Sequence, residues 1–186
     1  MDGKSFFSAQ IVSGWLLILS GFIFSVGGIL YTGRAIWKWP AAGMPAYLRW
    51  ERGFVIAALL TAVVGFTLLE RILEAAGDRI LAPSGMMILL IGSAVVIFAE
   101  SIFISRQEWI YSPIVIFVVL AFLAQAIFGA ALLREGLLPG WVGWGTILWN
   151  LGWLVVLPIA RPKDMYYPWL HYVAPLLIGI SLLLKR

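Results

Sequence analysis

Six runs of about twenty mostly apolar residues follow one another along this chain, each long enough to cross a hydrocarbon core about 30 Å thick at about 1.5 Å per residue. They lie at 11–31, 53–73, 85–105, 113–133, 141–160 and 166–184. Of the 186 residues, 62% are hydrophobic and 12% charged. Soluble domains run nearer about 45–50% apolar and about 25% charged, so a soluble fold would have nowhere to bury this surface. In lipid every main-chain polar group needs a partner within the protein, which leaves helices or a closed barrel. Barrel strands alternate polar and apolar residues, whereas these runs are solidly apolar. The pattern predicts an all-α, polytopic transmembrane helix bundle. It forms one domain over 1–186, with six spanning helices joined by short loops.

The breaks between runs carry the residues that stop helices. "AAGDRILAPSG" separates the second and third runs, "REGLLPG" the fourth and fifth, and "RPKD" the fifth and sixth. Links this short make sequential helices antiparallel neighbours. The longest link, 32–52, mixes Trp37, Trp39, Tyr47 and Trp50 with Arg34, Lys38, Arg49 and Arg52. Interleaved aromatic and basic residues suit the headgroup layer, and Pro40 and Pro45 forbid one continuous helix. The expectation is a segment lying on the membrane surface. The first run shows no small-residue cleavage pattern and reads as a retained span.

The net charge is +4, from 13 basic and 9 acidic residues. The basic residues stand singly at run ends, which argues for anchors and against a nucleic-acid surface. Lys4, Arg71, Arg79, Arg134, Lys185 and Arg186 fall on the face of the termini. Arg34, Lys38, Arg49, Arg52, Arg106, Arg161 and Lys163 fall on the other, so the charges set no orientation. With no cysteine and one histidine, a zinc site of the usual ligands cannot form within one chain, and no metal or other cofactor is named by any motif.

Small residues predict where helices touch: Gly21 with Ser25, Gly27 and Gly28 in the first run, Ala126 with Ala130 in the fourth, Gly145 with Gly152 in the fifth. Trp144, Trp149 and Trp153 offer an aromatic surface for lipid, pigment or a partner, or plain helix packing.

Few polar groups fall within the runs, and such groups are costly there. Gln125 and Asn150 sit near mid-span on consecutive helices, where their amides could clasp each other or a backbone. Glu100 lies about 9 Å inside one end of the third helix. His171 lies at a similar depth from the same face, and Arg52 emerges on that side. A Glu100–His171 pair with Arg52 or Tyr172 beside it is sterically open and would suit proton transfer. The alternative is a carboxylate bonded to a loop arginine. Glu70 and Glu74 end the second helix at the opposite face and read as a solvated end.

The stretch "LLREGLLPGWVGWGTILWNLGWLVVL", around Arg134 and running through Val156, resembles a hairpin of uncharacterised bacterial multi-pass membrane proteins. Those proteins show a basic residue, then "GLLP", an aromatic and "GW" before a glycine-rich helix. The resemblance implies the bacterial cytoplasmic membrane and transfers no site residues.

Three functions fit these residues. The first is a non-enzymatic accessory subunit or a binder of an apolar ligand such as lipid or pigment, with membrane lipids, a membrane-protein partner or a second copy around it. The second is a small-molecule or ion transporter with a polar route through Glu100, Gln125 and Asn150. The third is an intramembrane enzyme using Glu100 and His171.

Overall fold

The computed structural model of the chain describes residues 3–161 and 168–185. These form six α-helices: α1 (Gly3–Ala35), α2 (Pro45–Ala76), α3 (Leu81–Arg106), α4 (Tyr111–Glu135), α5 (Gly140–Ala160) and α6 (Val173–Leu184). No strand occurs among the described residues. Five helices are long and apolar enough to cross a membrane, which fits an integral membrane protein. The sixth has 12 residues and so rises about 18 Å. One 3-10 turn, Pro168–Tyr172, precedes it. The expected start of the sixth run at Tyr166, and Lys163 and Arg186 among the counted charges, lie outside the described residues.

Each helix packs on its neighbours in chain order, and α6 packs back onto α1, so the bundle closes into a ring. The loops α2–α3, α3–α4 and α4–α5 are the four-residue segments 77–80, 107–110 and 136–139. The first of them shows why the chain turns where it does. Gly77 takes φ +126°, a conformation open to glycine, and the Asp78 N–H reaches back to the Leu73 carbonyl at 3.0 Å. The Asp78 carboxylate then accepts the free N–H groups of Ile80, Leu81 and Ala82, at 2.8, 2.8 and 3.2 Å. One turn thus closes α2 and opens α3 with its orphan donors satisfied.

The 32–52 link is shorter than expected. Helix α1 runs on to Ala35 and α2 starts at Pro45, leaving 36–44 as the connection. Pro45 causes this, because a proline in the first turn costs no hydrogen bond and its fixed φ suits a helix start. The last residues of the expected link therefore enter the bundle as the first turns of α2, and Glu51 and Arg52 are buried there.

Sidedness is inverted relative to a soluble protein. Phe22, Met87, Phe98, Leu148 and Ile159 point outward, each more than half exposed, where lipid would cover them. Glycines mediate the closest helix contacts. A Cβ on Gly179 of α6 would sit 2.7 Å from the Gly14 carbonyl oxygen of α1, and one on Gly129 of α4 would sit 2.9 Å from that of Gly143 in α5. Of the small residues expected to mediate contact, Gly27 meets α2, where a Cβ would sit 3.3 Å from the Glu51 carbonyl oxygen, and Gly28 meets the Trp169 ring. Gly152 faces open space, Gly145 only meets Leu177, and Gly21 has just the Tyr172 Cβ at 3.8 Å.

Two apolar clusters fill the ring. Near the termini lie Leu17, Phe66, Leu69, Phe128, Ile178 and Leu182. Near the link lie Leu59, Val96, Ile114, Phe117, Phe122 and Leu157, and these share their half of the bundle with charges.

Candidate functional site

Four charged side chains meet in the link-bearing half. Arg34 of α1 grips Glu51 of α2 with two hydrogen bonds, Nε to Oε2 at 2.7 Å and Nη2 to Oε1 at 2.9 Å. Arg52 Nη2 lies 2.9 Å from the same Glu51 Oε1. Its Nη1 spans both oxygens of Glu100 in α3 at 3.4 Å. Two cations and two carboxylates leave the group neutral, the condition for carrying ions into a low-dielectric interior. Three of the four are buried, Glu51 and Glu100 at 1% exposure or less.

Arg52 is also boxed by rings. Its guanidinium carbon lies 4.8 Å from the Phe103 centroid, 5.1 Å from Trp109 and 5.9 Å from Tyr31. Desolvated contacts of this kind contribute about 2 kcal/mol or more, so the rings help hold the guanidinium in place while the carboxylates neutralise it.

The break before α6 places His171. Pro175 lies in the first turn of α6 and has no N–H to give the His171 carbonyl four residues back. That carbonyl accepts instead from Gln125 Nε2 of α4 at 3.0 Å. The preceding carbonyl, Leu170, accepts from Trp149 Nε1 of α5, also at 3.0 Å. Non-helical backbone survives at membrane depth only where protein or water satisfies it, and here two side chains do so. The imidazole is 4% exposed and packs on Phe122 at 4.3 Å and Phe117 at 5.2 Å between ring centroids. Neither of its ring nitrogens has a hydrogen-bond partner among the described residues.

Glu100, His171 and Tyr172 line the same cavity, walled otherwise by apolar side chains that include Phe24, Leu59, Val96 and Phe117. The space open to a water centre is about 20 Å³. A single water needs about 10–15 Å³ on that measure, so the cavity takes one water and no lipid chain.

The residues singled out from the sequence thus divide. Glu100, His171 and Arg52 share one site, with Glu100 bonded to Arg52. Gln125 supports that site through the His171 backbone. It does not clasp Asn150, whose Nδ2 donates to Thr146 of its own helix at 2.7 Å, and the side-chain oxygens of both amides are unpartnered among the described residues. Of the three tryptophans, two pair with each other. Trp144 is 57% exposed, Trp149 is spent on Leu170, and Trp153 leans on Trp149 at 5.7 Å and on the link-side cluster.

Glu51 escaped sequence reasoning although its signal was present. The inward stripe of α2 runs Leu73, Leu69, Phe66, Ala62, Leu59 and Ala58, and continuing it backward by three- and four-residue steps lands on Val55, Arg52 and Glu51. Chemically, the arrangement offers a carboxylate and an imidazole facing one water-sized space, able to hold and pass a proton. No group of three or more metal-binding side chains occurs among the described residues. Compared with family models, curated proteins and solved structures, the chain finds a match in none of the three.

Proposed function

We propose that the protein is a multi-pass protein of the bacterial cytoplasmic membrane that takes up a small polar species, a proton in the first instance, from its link-bearing face. This is the transporter class among the three sequence readings. The observation that carries it is that Glu100 and His171 line one small cavity at the break before α6. Broken helices lined by polar groups are where membrane transporters bind ions. Gln125 serves the route by holding the turn, and Asn150 stands outside it.

The other readings have less support. A cavity for about one water gives neither lipid nor pigment a place there, so an apolar ligand or partner subunit would lie on the outer face, beside Trp144 or in the groove of about 180 Å³ lined by Ile18, Phe22, Trp169 and Leu176. An enzyme would need its substrate to reach Glu100 through the same space.

The test is proton flux into liposomes that contain the purified protein and a pH dye, driven by a potassium diffusion potential. Wild type should acidify the lumen faster than protein-free liposomes. Glu100→Gln and His171→Gln should fall to the protein-free rate, while Asn150→Leu should keep the wild-type rate. Wild-type flux no faster than that of empty liposomes would end this reading.

A further inference from the structure

We propose that the cavity between α3 and the turn before α6 is a binding site for one water molecule, hydrogen-bonded to the His171 imidazole and the Glu100 carboxylate. The inference builds on the reading of these two side chains as the working pair, and it names what joins them.

Three observations meet here. The first is the imidazole itself. A neutral ring carries one N–H donor and one acceptor nitrogen, and both atoms of His171 are buried without a partner among the described residues. Its ring faces are covered by Phe117 and Phe122, which contribute no hydrogen bond along the ring edge. The second is volume: about 20 Å³ open to a water centre, against the about 10–15 Å³ that one water requires. The third is the opposite wall. Glu100 has about four acceptor positions on its two oxygens, and Arg52 reaches them through a single nitrogen at 3.4 Å, so lone pairs remain for a second donor. A water there donates one hydrogen to Glu100 and meets a ring nitrogen of His171 as donor or acceptor. The surrounding Val55, Leu59 and Val96 offer nothing polar, so the imidazole and the carboxylate, with the Tyr172 hydroxyl, are the polar groups of the lining that can hold it. The bridge makes acid and imidazole one hydrogen-bonded unit, the arrangement a proton needs to pass between them.

The chain has a single histidine, so 15N-histidine labelling reports this ring alone. Solid-state NMR of the protein in lipid bilayers should show magnetisation passing from water to a ring nitrogen, at a frequency shifted by hydrogen bonding. Val96→Leu adds one methylene to the cavity wall and should weaken that transfer severalfold while the remaining spectrum stays in place. Two bare ring nitrogens in the wild type would overturn the proposal, and that measurement needs no variant to fold. Equal transfer in wild type and Val96→Leu would also overturn it. Proton flux absent with the water signal present would retire the functional reading and leave this site standing. Flux present with bare nitrogens would do the reverse.

Discussion

At the terminus-bearing end of the bundle, α1 and α6 touch backbone to backbone at Gly14 and Gly179, and the space between helices is filled by Leu17, Phe66, Leu69 and Phe128. At the link-bearing end α1, α2 and α3 meet around Arg34, Glu51, Arg52 and Glu100. The first end gains its cohesion from close approach, the force available when lipid is as apolar as the protein. Its polar groups are uncharged and tie helix to helix: Ser13 donates to the Gly65 carbonyl at 2.9 Å and Gln10 to that of Leu182 at 2.8 Å. The second end carries buried ions that are tolerable only as a balanced set. The difference teaches that the molecule has a structural half and a half arranged around polar groups whose burial the fold must compensate.

The largest expected effect tests that division directly. Glu51→Gln leaves Arg34 and Arg52 with one carboxylate between them and should destabilise the protein by about 3–5 kcal/mol, as when one partner of a buried ion pair is removed. Glu70→Gln at the opposite face should change stability by no more than about 0.5 kcal/mol. Denaturant titration in detergent micelles measures both. A loss under about 1 kcal/mol for Glu51→Gln would erase the distinction between the halves.

A smaller effect should come from the terminus end. Gly179→Leu forces a side chain into the Gly14 carbonyl and should cost about 1–3 kcal/mol, an overpacking penalty. Gly152→Ala, where nothing lies within 4 Å, should cost nothing in the same titration and gain up to about 1 kcal/mol from helix propensity. Similar losses at the two sites would mean that close approach does not hold this end together.

The smallest effect concerns the seam between the halves. Gln125→Leu removes the donor from the His171 carbonyl and should cost about 0.6–2 kcal/mol. Amide hydrogen exchange should then speed up across Leu170–Tyr172 and stay unchanged in the first turn of α3, which Asp78 caps. Faster exchange at both places would point to general loosening.

The spans were legible because hydrocarbon imposes a length, and five of the six runs correspond to helices that overreach them at one or both ends. Hydropathy marks the lipid-covered part of a helix, whereas the helix itself ends where a cap or proline ends it. So α2 begins at Pro45, eight residues before its apolar run. The sixth run hid its own break. Leu170, Val173 and Ala174 read as continuous apolar sequence, and the missing Pro175 N–H gains meaning only when Gln125 and Trp149 are seen to serve the carbonyls it helps to free. Glu100 and His171 could be placed together because helix topology and depth follow from spacing. Glu51 was lost because a carboxylate within a basic, aromatic link looks solvated until its register on α2 is known.

The contact between α1 and α6 has a consequence for how the chain is made. Gln10 and Leu182, which it joins, are 172 positions apart, and ribosomes add about 5–20 residues per second. The α1 flank that receives α6 must therefore wait about 9–34 s in the bilayer, with only lipid or an insertase against it, while the four helices between them emerge. The apolar helical stretch Trp169–Leu184 that fills this slot is shorter than the about 20 residues of an independent span, so it leans on α1 for its place.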